Sequence, residues 1–446
     1  MKLKTFKIGG VHPDDSKLAS EEPIEQLPLP QTAYISMAQH LGAPATPTVQ
    51  KGDSVKVGQV IAEASGFVSA CIHSPYSGTV TAVEPHADLA GNMVMHVVIA
   101  VDGDEWLPEI DRTPDIRREI TASSEEIVAK IKNAGIVGLG GAAFPTHIKL
   151  CPPPGKKAEC LILNGTECEP YITSDDRIMR EHTEEILLGA TIMMKALGVS
   201  RGYVGVEENK PAAIAALRSF AGKYPQIEVV PLKKKYPQGG EKQLIDSVIR
   251  KRVPSLGLPI DTGAVVQNVG TALAVYEAVQ KNKPLIDNIV TVTGKCLPKQ
   301  KNFRVRVGCT YSQMLEAVGG MPEKGAKLIS GGPMMGKAIV NPEAATLKAT
   351  SALLVLTGEE TRRKAESNCI RCGKCADACP MGLQPFLLSR LAKVGGRFDE
   401  LEQEKVFDCI ECGCCLYTCP ANIPLLDIIR PAKAQVTKIM KSRPKK

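Results

Sequence analysis

Eight cysteines fall in two copies of one spacing. Cys369, Cys372, Cys375 and Cys379, followed by Pro380, lie in CIRCGKCADACP; Cys409, Cys412, Cys415 and Cys419, followed by Pro420, lie in CIECGCCLYTCP. Each copy is C-x2-C-x2-C-x3-C-P, in which three close thiolates take three corners of a [4Fe-4S] cube and the fourth Cys ligates the other cube. The crossover predicts one cluster on Cys369, Cys372, Cys375 and Cys419, and a second on Cys409, Cys412, Cys415 and Cys379. Structural zinc takes two separated C-x2-C pairs and has no use for a third Cys in each copy. Cys414 breaks the spacing and reads as a bystander. Fifteen cysteines in all, eight of them in these runs, point to a reducing compartment, because oxidised thiols could not ligate iron.

A second chemistry is suggested by GIVGLGGAAFPTHIKL, where Gly135, Gly138, Gly140 and Gly141 precede Pro145. Glycines let backbone N–H groups approach an anion, and a helix starting at Pro145 would add its positive end. The plain alternative is a strand-to-helix turn with no ligand. GGPMMG (331–336) reads equally as a ligand loop or an ordinary turn. A cluster carries one electron, whereas a nicotinamide exchanges a hydride, and a flavin mediates between the two. Two clusters with a glycine-rich turn are most simply a nicotinamide, flavin and cluster relay.

The elements that must position these residues alternate. A capping box from Ser123 to Glu126 opens a helix with Ile127 and Ile131 on one face. Apolar runs at 160–164, 202–206 and 227–231 read as buried strands, with helical patterns in TEEILLGATIMMKAL and KPAAIAALRSFAGK between them. Strand and helix in alternation predict a parallel, Rossmann-like α/β domain over 115–285 whose ligands sit beyond the carboxyl ends of the strands. Asn164, Glu167, Glu169, Glu207 and Glu208 lie at those ends.

Around this domain, residues 1–30 are Pro-rich and read as an extended arm that needs a neighbour to order it. Residues 31–108 carry short β-branched runs broken by Gly; KGDSVKVGQVIAE and SPYSGTVTAV resemble the barrel-sandwich hybrid of biotinyl and lipoyl carriers. Those carriers present a Lys at a hairpin tip, and none follows Lys56 here, so a structural or docking module is expected. Residues 286–345 read as a β-grasp module. Residues 360–432 hold the two cysteine runs in a helical ferredoxin-like domain, with a helical insert of 29 residues between Cys379 and Cys409. The fold class is thus multidomain α/β. The tail, 433–446, carries Lys433, Lys438, Lys441, Arg443, Lys445 and Lys446, and reads as a solvated end or a contact for anionic lipid or an acidic partner.

A length of 446 residues allows three or four cores, and 43% hydrophobic with 23% charged residues excludes disorder. The start lacks the apolar stretch of a secretory signal, and no window approaches the roughly 20 apolar residues of a membrane helix. A soluble or peripheral cytoplasmic protein is expected. Nucleic acid is not an expected partner: the net charge is only +7, there is one Trp, and no basic-aromatic face is visible.

GLGGAAFPTHIKL, LNGTECEPYITSDDR, YPQGGEKQL and VVQNVGTAL, in that order, resemble the flavin- and NADH-binding subunit of respiratory complex I. With the GGVHP arm, the hybrid domain and the doubled cysteine run, nearly the whole chain resembles the RnfC family, a component of Rnf complexes, which are membrane-bound ion-translocating ferredoxin:NAD oxidoreductases. The resemblance implies noncovalent FMN on Gly138, Gly140 and Gly141, with Lys149, Asn164, Glu167, Gly239, Asn268 and Thr271 in contact with it and Phe144 by the nicotinamide or flavin. It implies that Glu169 and Glu241 hold ribose hydroxyls of NAD(H). Leu139 stands where the complex I loop has Arg, Thr166 where it has Asp, and Ala143 and His147 replace glycines, which implies a flavin more easily lost. The implied activity is electron transfer among ferredoxin, reached through partner subunits, the two clusters, FMN and NAD(H), at the cytoplasmic face of a membrane. The enzyme rival is a cobalamin reductase-like flavin and cluster protein, in which the hybrid domain follows the clusters. The non-enzyme rival is an electron-transfer scaffold without a working nucleotide site.

Overall fold

The computed structural model describes residues 3–443. Its centre is a four-stranded parallel sheet of Cys160–Gly165, Gly202–Glu207, Ile227–Leu232 and Ala264–Asn268. In space the order is third, second, first, fourth. The first and fourth strands therefore lie side by side while the chain leaves them in opposite directions, which opens a crevice at their carboxyl ends. Asn164 and Asn268 face each other across that register. The strands are buried almost throughout, as a sheet covered on both faces requires. One cover is Ser124–Asn133, which begins with the Ser123–Glu126 capping box and buries Ile127 and Ile131. Thr183–Leu197 and Val269–Lys281 pack closely, because Gly189 leaves room for the backbone at Ala272.

The hybrid domain consists of two antiparallel sheets between Thr32 and Val101 around a core that includes Ile35, Ile61, Ile72 and Ile99. The β-grasp sheet has six strands, in the order Ile24–Gln26, Lys301–Arg306, Asp287–Thr293, Ala352–Thr357, Gly325–Ser330 and Lys337–Ala338. Two of these depart from the sequence reading. Ala352–Thr357 lies beyond residue 345 yet is central, its apolar run buried between two neighbours. Ile24–Gln26 belongs to the arm and pairs in parallel with Lys301–Arg306 as an edge strand.

The arm orders itself on several bodies. Lys4 bridges to Leu232, Val11 to Tyr236, and the Gly10 amide donates to the Ala378 carbonyl at 2.9 Å. The insert between the cysteine runs forms the helices Pro385–Val394 and Phe398–Gln403. The tail, expected as a solvated end or a contact for lipid or an acidic partner, is helical through Ser442 as part of Leu425–Ser442, with Lys438, Lys441 and Arg443 exposed. Lys433 explains part of this: its ammonium reaches the Cys409 carbonyl at 2.7 Å and Glu411 at 2.8 Å. Lys445 and Lys446 lie outside the described residues. Among the described residues no helix is long and apolar enough to cross a membrane.

Candidate nucleotide crevice and cysteine centres

The glycine loop folds back on itself. The Gly138 amide donates to the Phe144 carbonyl at 2.9 Å, and Val137 bridges to Pro145. The helix after it, Thr146–Lys149, is one turn, too short for the positive end expected there. The longer helix Val269–Lys281 fills that place. Asn268 caps it by accepting the Gly270 amide at 2.7 Å, and a Cβ on Gly140 would lie 2.7 Å from the Asn268 side-chain nitrogen. The buried Thr271 hydroxyl accepts the Leu139 amide at 3.0 Å, so it positions the loop from behind. Gly140 and Gly141 are exposed, and nothing lies within 4 Å of where a Gly141 Cβ would stand.

Facing the loop, the Asn164 amide donates to the Gly239 carbonyl at 2.9 Å, and its oxygen accepts the Thr166 hydroxyl at 2.6 Å. Asn268 donates to Asp175 at 2.8 Å. Burial pushes the Asp175 carboxyl up to about 6, against the pull of Asn268 and buried lysines. Lys149 pairs with Glu241 at 2.7 Å and also reaches the Val266 carbonyl at 3.2 Å. Phe144 is half-buried beside them in sequence. Gly140, Asn268, Asn164 and Gly239 are therefore joined by direct contacts; Gly138 and Thr271 hold the loop through Phe144 and Leu139, and the Lys149–Glu241 pair reaches the same strand as Asn268, at Val266.

The remaining carboxylates do other work. Glu167, in the left-handed region at φ 46°, accepts the Asp175 amide at 2.6 Å and the Asp176 amide at 3.3 Å, capping Ser174–Glu181. Its own backbone carbonyl accepts the Lys17 ammonium at 2.9 Å, as do those of Glu169 and Ile172 at 2.9 and 2.6 Å. Burial raises the Glu167 carboxyl and lowers the Lys17 ammonium. Glu169 accepts the Met334 and Met335 amides at 3.1 and 2.7 Å, so both oxygens are taken by the GGPMMG loop. Burial pushes it up to about 7. Glu207 and Glu208 accept the Lys235 and Lys234 amides and hold that segment. Lys17 and the Glu169 clasp were not foreseen: a lone Lys and a Met-Met turn announce no partner. Asp175 lies in the TSDDR stretch and was findable there.

Behind Gly239 lie the cysteines. Its amide donates to Cys168 Sγ at 3.3 Å, and the nearby Tyr236 hydroxyl donates to the Cys412 carbonyl at 2.9 Å. Cys379, Cys409, Cys412 and Cys415 line one cavity with Leu383, Leu388, Leu426 and Ile429. Burial pushes the Cys409 thiol up to about 11 and Cys415 up to about 12, and each is raised further by Cys379 and Cys412. Cys375 is raised by burial and then by Cys419. Cys369 and Cys372 are exposed. The described thiols thus group across the two runs, although among the described residues no three His, Cys, Asp or Glu side chains close on a single ion. Cys414 is fully buried, with its sulfur 3.9 Å from the Tyr236 carbonyl, so it is packed against the α/β domain.

Four family models match in sequence order: the RnfC barrel sandwich hybrid domain over residues 4–104, the Nuo51 FMN-binding domain over 131–277, the SLBB domain over 289–338 and the 4Fe-4S dicluster domain over 362–420. They define a modular flavin and iron-sulfur electron-transfer protein. The chain is 46% identical over 436 residues to the C subunit of the proton-translocating ferredoxin:NAD(+) oxidoreductase complex of Clostridium ljungdahlii, covering 97% of this chain and 94% of that one. It is 43% identical to the C subunit of the Na(+)-translocating ferredoxin:NAD(+) oxidoreductase complex of Acetobacterium woodii, covering 98% of each. The chain belongs to the RnfC family of Rnf complexes. A chain of an NAD+-reducing [NiFe]-hydrogenase, solved in the H2-reduced state, shares the fold, with TM-score 0.51 and 18% identity, over 75% of this chain and 70% of that one.

The residues present fit both cofactors. Gly141 leaves an open face beside the capped start of Val269–Lys281, and Gly140 lies so close to Asn268 that no Cβ fits there. In the cysteine-lined cavity burial keeps the Cys379, Cys409 and Cys415 thiols protonated unless a metal centre supplies the compensating charge, whereas Cys412 is lowered by its hydrogen bond with Cys414.

Proposed function

We propose that this chain is the NAD(H)-interacting peripheral subunit of a membrane-bound, ion-translocating ferredoxin:NAD oxidoreductase, held at the cytoplasmic face by partner subunits. The observation that carries this reading is the back-to-back placement of the two sites: Gly239 and Tyr236, three residues apart, touch the crevice and the cysteine cavity respectively. When bound, FMN exchanges a hydride with NAD(H) and single electrons with [4Fe-4S] clusters.

The chain's own residues bind and orient. Gly138, Gly140 and Gly141 present backbone to the FMN phosphate, with the N-terminus of Val269–Lys281 adding its positive end. Asn164, Asn268 and Gly239 form the floor, and Phe144 flanks the ring site. Lys149 and Glu241, both partly exposed, separate to offer an ammonium and a carboxylate to the ligands. Glu167 and Thr271 act on the site through the backbone they hold. Glu169 holds ribose only if the Met334–Met335 turn withdraws. Cys409, Cys412, Cys415 and Cys379 would hold a [4Fe-4S] cluster nearer the crevice, and Cys369, Cys372, Cys375 and Cys419 would hold an outer one on the side open to partner subunits and, through them, ferredoxin.

The test is anaerobic purification, flavin and iron analysis, and addition of NADH. About one FMN and about eight irons per chain, with flavin bleaching on NADH, are expected. A loaded protein whose flavin ignores NADH sinks the reading. Gly140→Ala, which drives a methyl against Asn268, is expected to lower flavin content at unchanged iron.

A further inference from the structure

We propose that Gly9, Gly10 and Val11 form the spacer that sets the separation between the nucleotide crevice and the Cys379, Cys409, Cys412 and Cys415 cavity. Gly9 is the positioning residue within it. The inference rests on the function proposed above.

The contacts close a ring. The Gly10 amide donates to the Ala378 carbonyl at 2.9 Å. One residue later, Val11 exchanges both backbone hydrogen bonds with Tyr236, at 2.8 and 2.9 Å. Tyr236 returns to the cysteine domain through its hydroxyl, which meets the Cys412 carbonyl at 2.9 Å. Cys379 and Cys412 come from different runs but line the same cavity. Three arm residues thus bridge the crevice-bearing loop 236–239 to residues 378–380, alongside the direct contacts of Tyr236 with Cys412 and Cys414.

The approach is close enough to dictate residue type. Gly9 has φ +66°, and a Cβ there would overlap the Cys379 carbonyl and lie 2.6 Å from the Pro380 nitrogen. Backbone meets backbone, so no flexible side-chain end can yield. Gly10, at φ +92°, would place a Cβ 2.6 Å from Lys235 and 2.8 Å from the Phe6 ring. Both ends of the segment are fixed. Phe6 is 2% exposed with the Lys235 ammonium 4.0 Å over its ring, and Lys17 is bound to three carbonyls of the 167–172 loop. A mere tether needs neither the two left-handed glycines nor anchors on both sides. A spacer at van der Waals contact needs both.

In the proposed reaction, NADH loses a hydride to become NAD+, two clusters each gain one electron, and one proton goes to solvent. Ferricyanide, added as a soluble one-electron oxidant, takes electrons from the flavin before they reach the clusters. The experiment uses the full chain, anaerobic and loaded, as wild type, Gly9→Ala and Gly9→Val. Ferricyanide reduction by NADH is expected to stay at the wild-type rate in all three. Cluster bleaching after NADH is expected to slow about tenfold in Gly9→Val, or about 1.4 kcal/mol of barrier, and less in Gly9→Ala, which adds the Cβ alone. The paramagnetic spectrum of the crevice-side cluster shifts, and amide exchange at Val11 and Tyr236 quickens. Cluster bleaching at the wild-type rate in both variants overturns the proposal, as does an equal fall in both rates. Wild type that bleaches neither flavin nor cluster overturns instead the function on which it rests.

Discussion

The two cysteine runs share a local backbone and differ in nearly everything around it. Arg371 and Glu411 occupy matching positions with φ 56° and 58°, and Gly373 and Gly413 both have φ 77°. Each run then enters a one-turn helix, Lys374–Asp377 or Cys414–Tyr417. Yet Ile370 is 68% exposed whereas Ile410 packs with Val11, Tyr236 and Met334. Nothing lies near Gly373, whereas the Met334 carbonyl is 3.3 Å from the Cβ position of Gly413. Spacing fixes how a run wraps a cluster; packing decides what that cluster exchanges electrons with. The second run packs against Val11, Tyr236 and Met334, and the first is left with residues 362–372 exposed.

The strongest way to break this contrast is to remove one ligand from each side. Cys412→Ala is expected to halve the iron, from about eight to about four per chain, and to cut NADH off from the remaining cluster. Cys372→Ala is expected to cost the same iron but to leave reduction of the crevice-side cluster by NADH intact. Iron analysis with electron paramagnetic resonance after NADH separates the two; equal losses of NADH-driven signal would erase the distinction.

Much of this was legible in the chain because it is local. The cysteine spacing, the Ser123–Glu126 capping box and the run CLILN each carry their structure within a few residues. What was not legible depends on partners far away in sequence. Ile24–Gln26 becomes a strand only because Lys301–Arg306 offers an edge, and Lys433 is drawn out of a tail by Glu411 and the Cys409 carbonyl. Ala352–Thr357 takes its central place between Asp287–Thr293 and Gly325–Ser330 only through tertiary pairing. In the crevice, the glycine loop and Asn164 were legible from spacing and strand ends, whereas Gly239 and Asn268 came only from the family resemblance. That both Glu169 oxygens are spent on Met334 and Met335 was not legible, since a free and a bonded carboxylate are spelled alike.

That clasp sharpens the comparison, because the turn it holds is what the second run leans on. Glu169→Ala leaves two amides without their acceptor and is expected to cost about 2 kcal/mol, measured by denaturant unfolding. The pH dependence has a definite sign. The folded carboxyl protonates near pH 7 and the unfolded one near its ordinary 4.5, so the folded state binds more protons between those values. Its contribution to stability is full below about 4.5 and is lost as the pH rises through about 7. Glu169→Gln is expected to flatten that slope. A slope unchanged by the substitution would place the titration elsewhere, with buried Glu167 as the next candidate.

Tyr236→Phe takes away only the hydrogen bond to the Cys412 carbonyl and keeps the ring. A buried carbonyl without its donor costs about 1.5 kcal/mol, seen as a lower unfolding midpoint at unchanged slope. The Cys372 carbonyl has no such donor among the described residues, so the first run offers no equivalent loss.

The smallest effect tests the comparison most directly, since it alters the matching position in each run. Arg371 and Glu411 both sit in the left-handed region, where a Cβ is unfavourable, and glycine removes that cost at either site. Glycine also loosens the unfolded chain, which offsets part of the gain. Arg371 is exposed and makes no hydrogen bond or ion pair among the described residues, so Arg371→Gly is expected to stabilise by about 0.5 kcal/mol. Glu411 is different: it pairs with Arg430 at 2.7 Å and with Lys433 at 2.8 Å, and Lys433 also holds the Cys409 carbonyl. Partly exposed pairs are each worth well under 1 kcal/mol, but two of them outweigh the relief. Glu411→Gly is therefore expected to destabilise by about 0.5 kcal/mol. Opposite signs at positions with the same φ would show that packing, not local backbone, separates the runs; equal signs would return the difference to the local sequence.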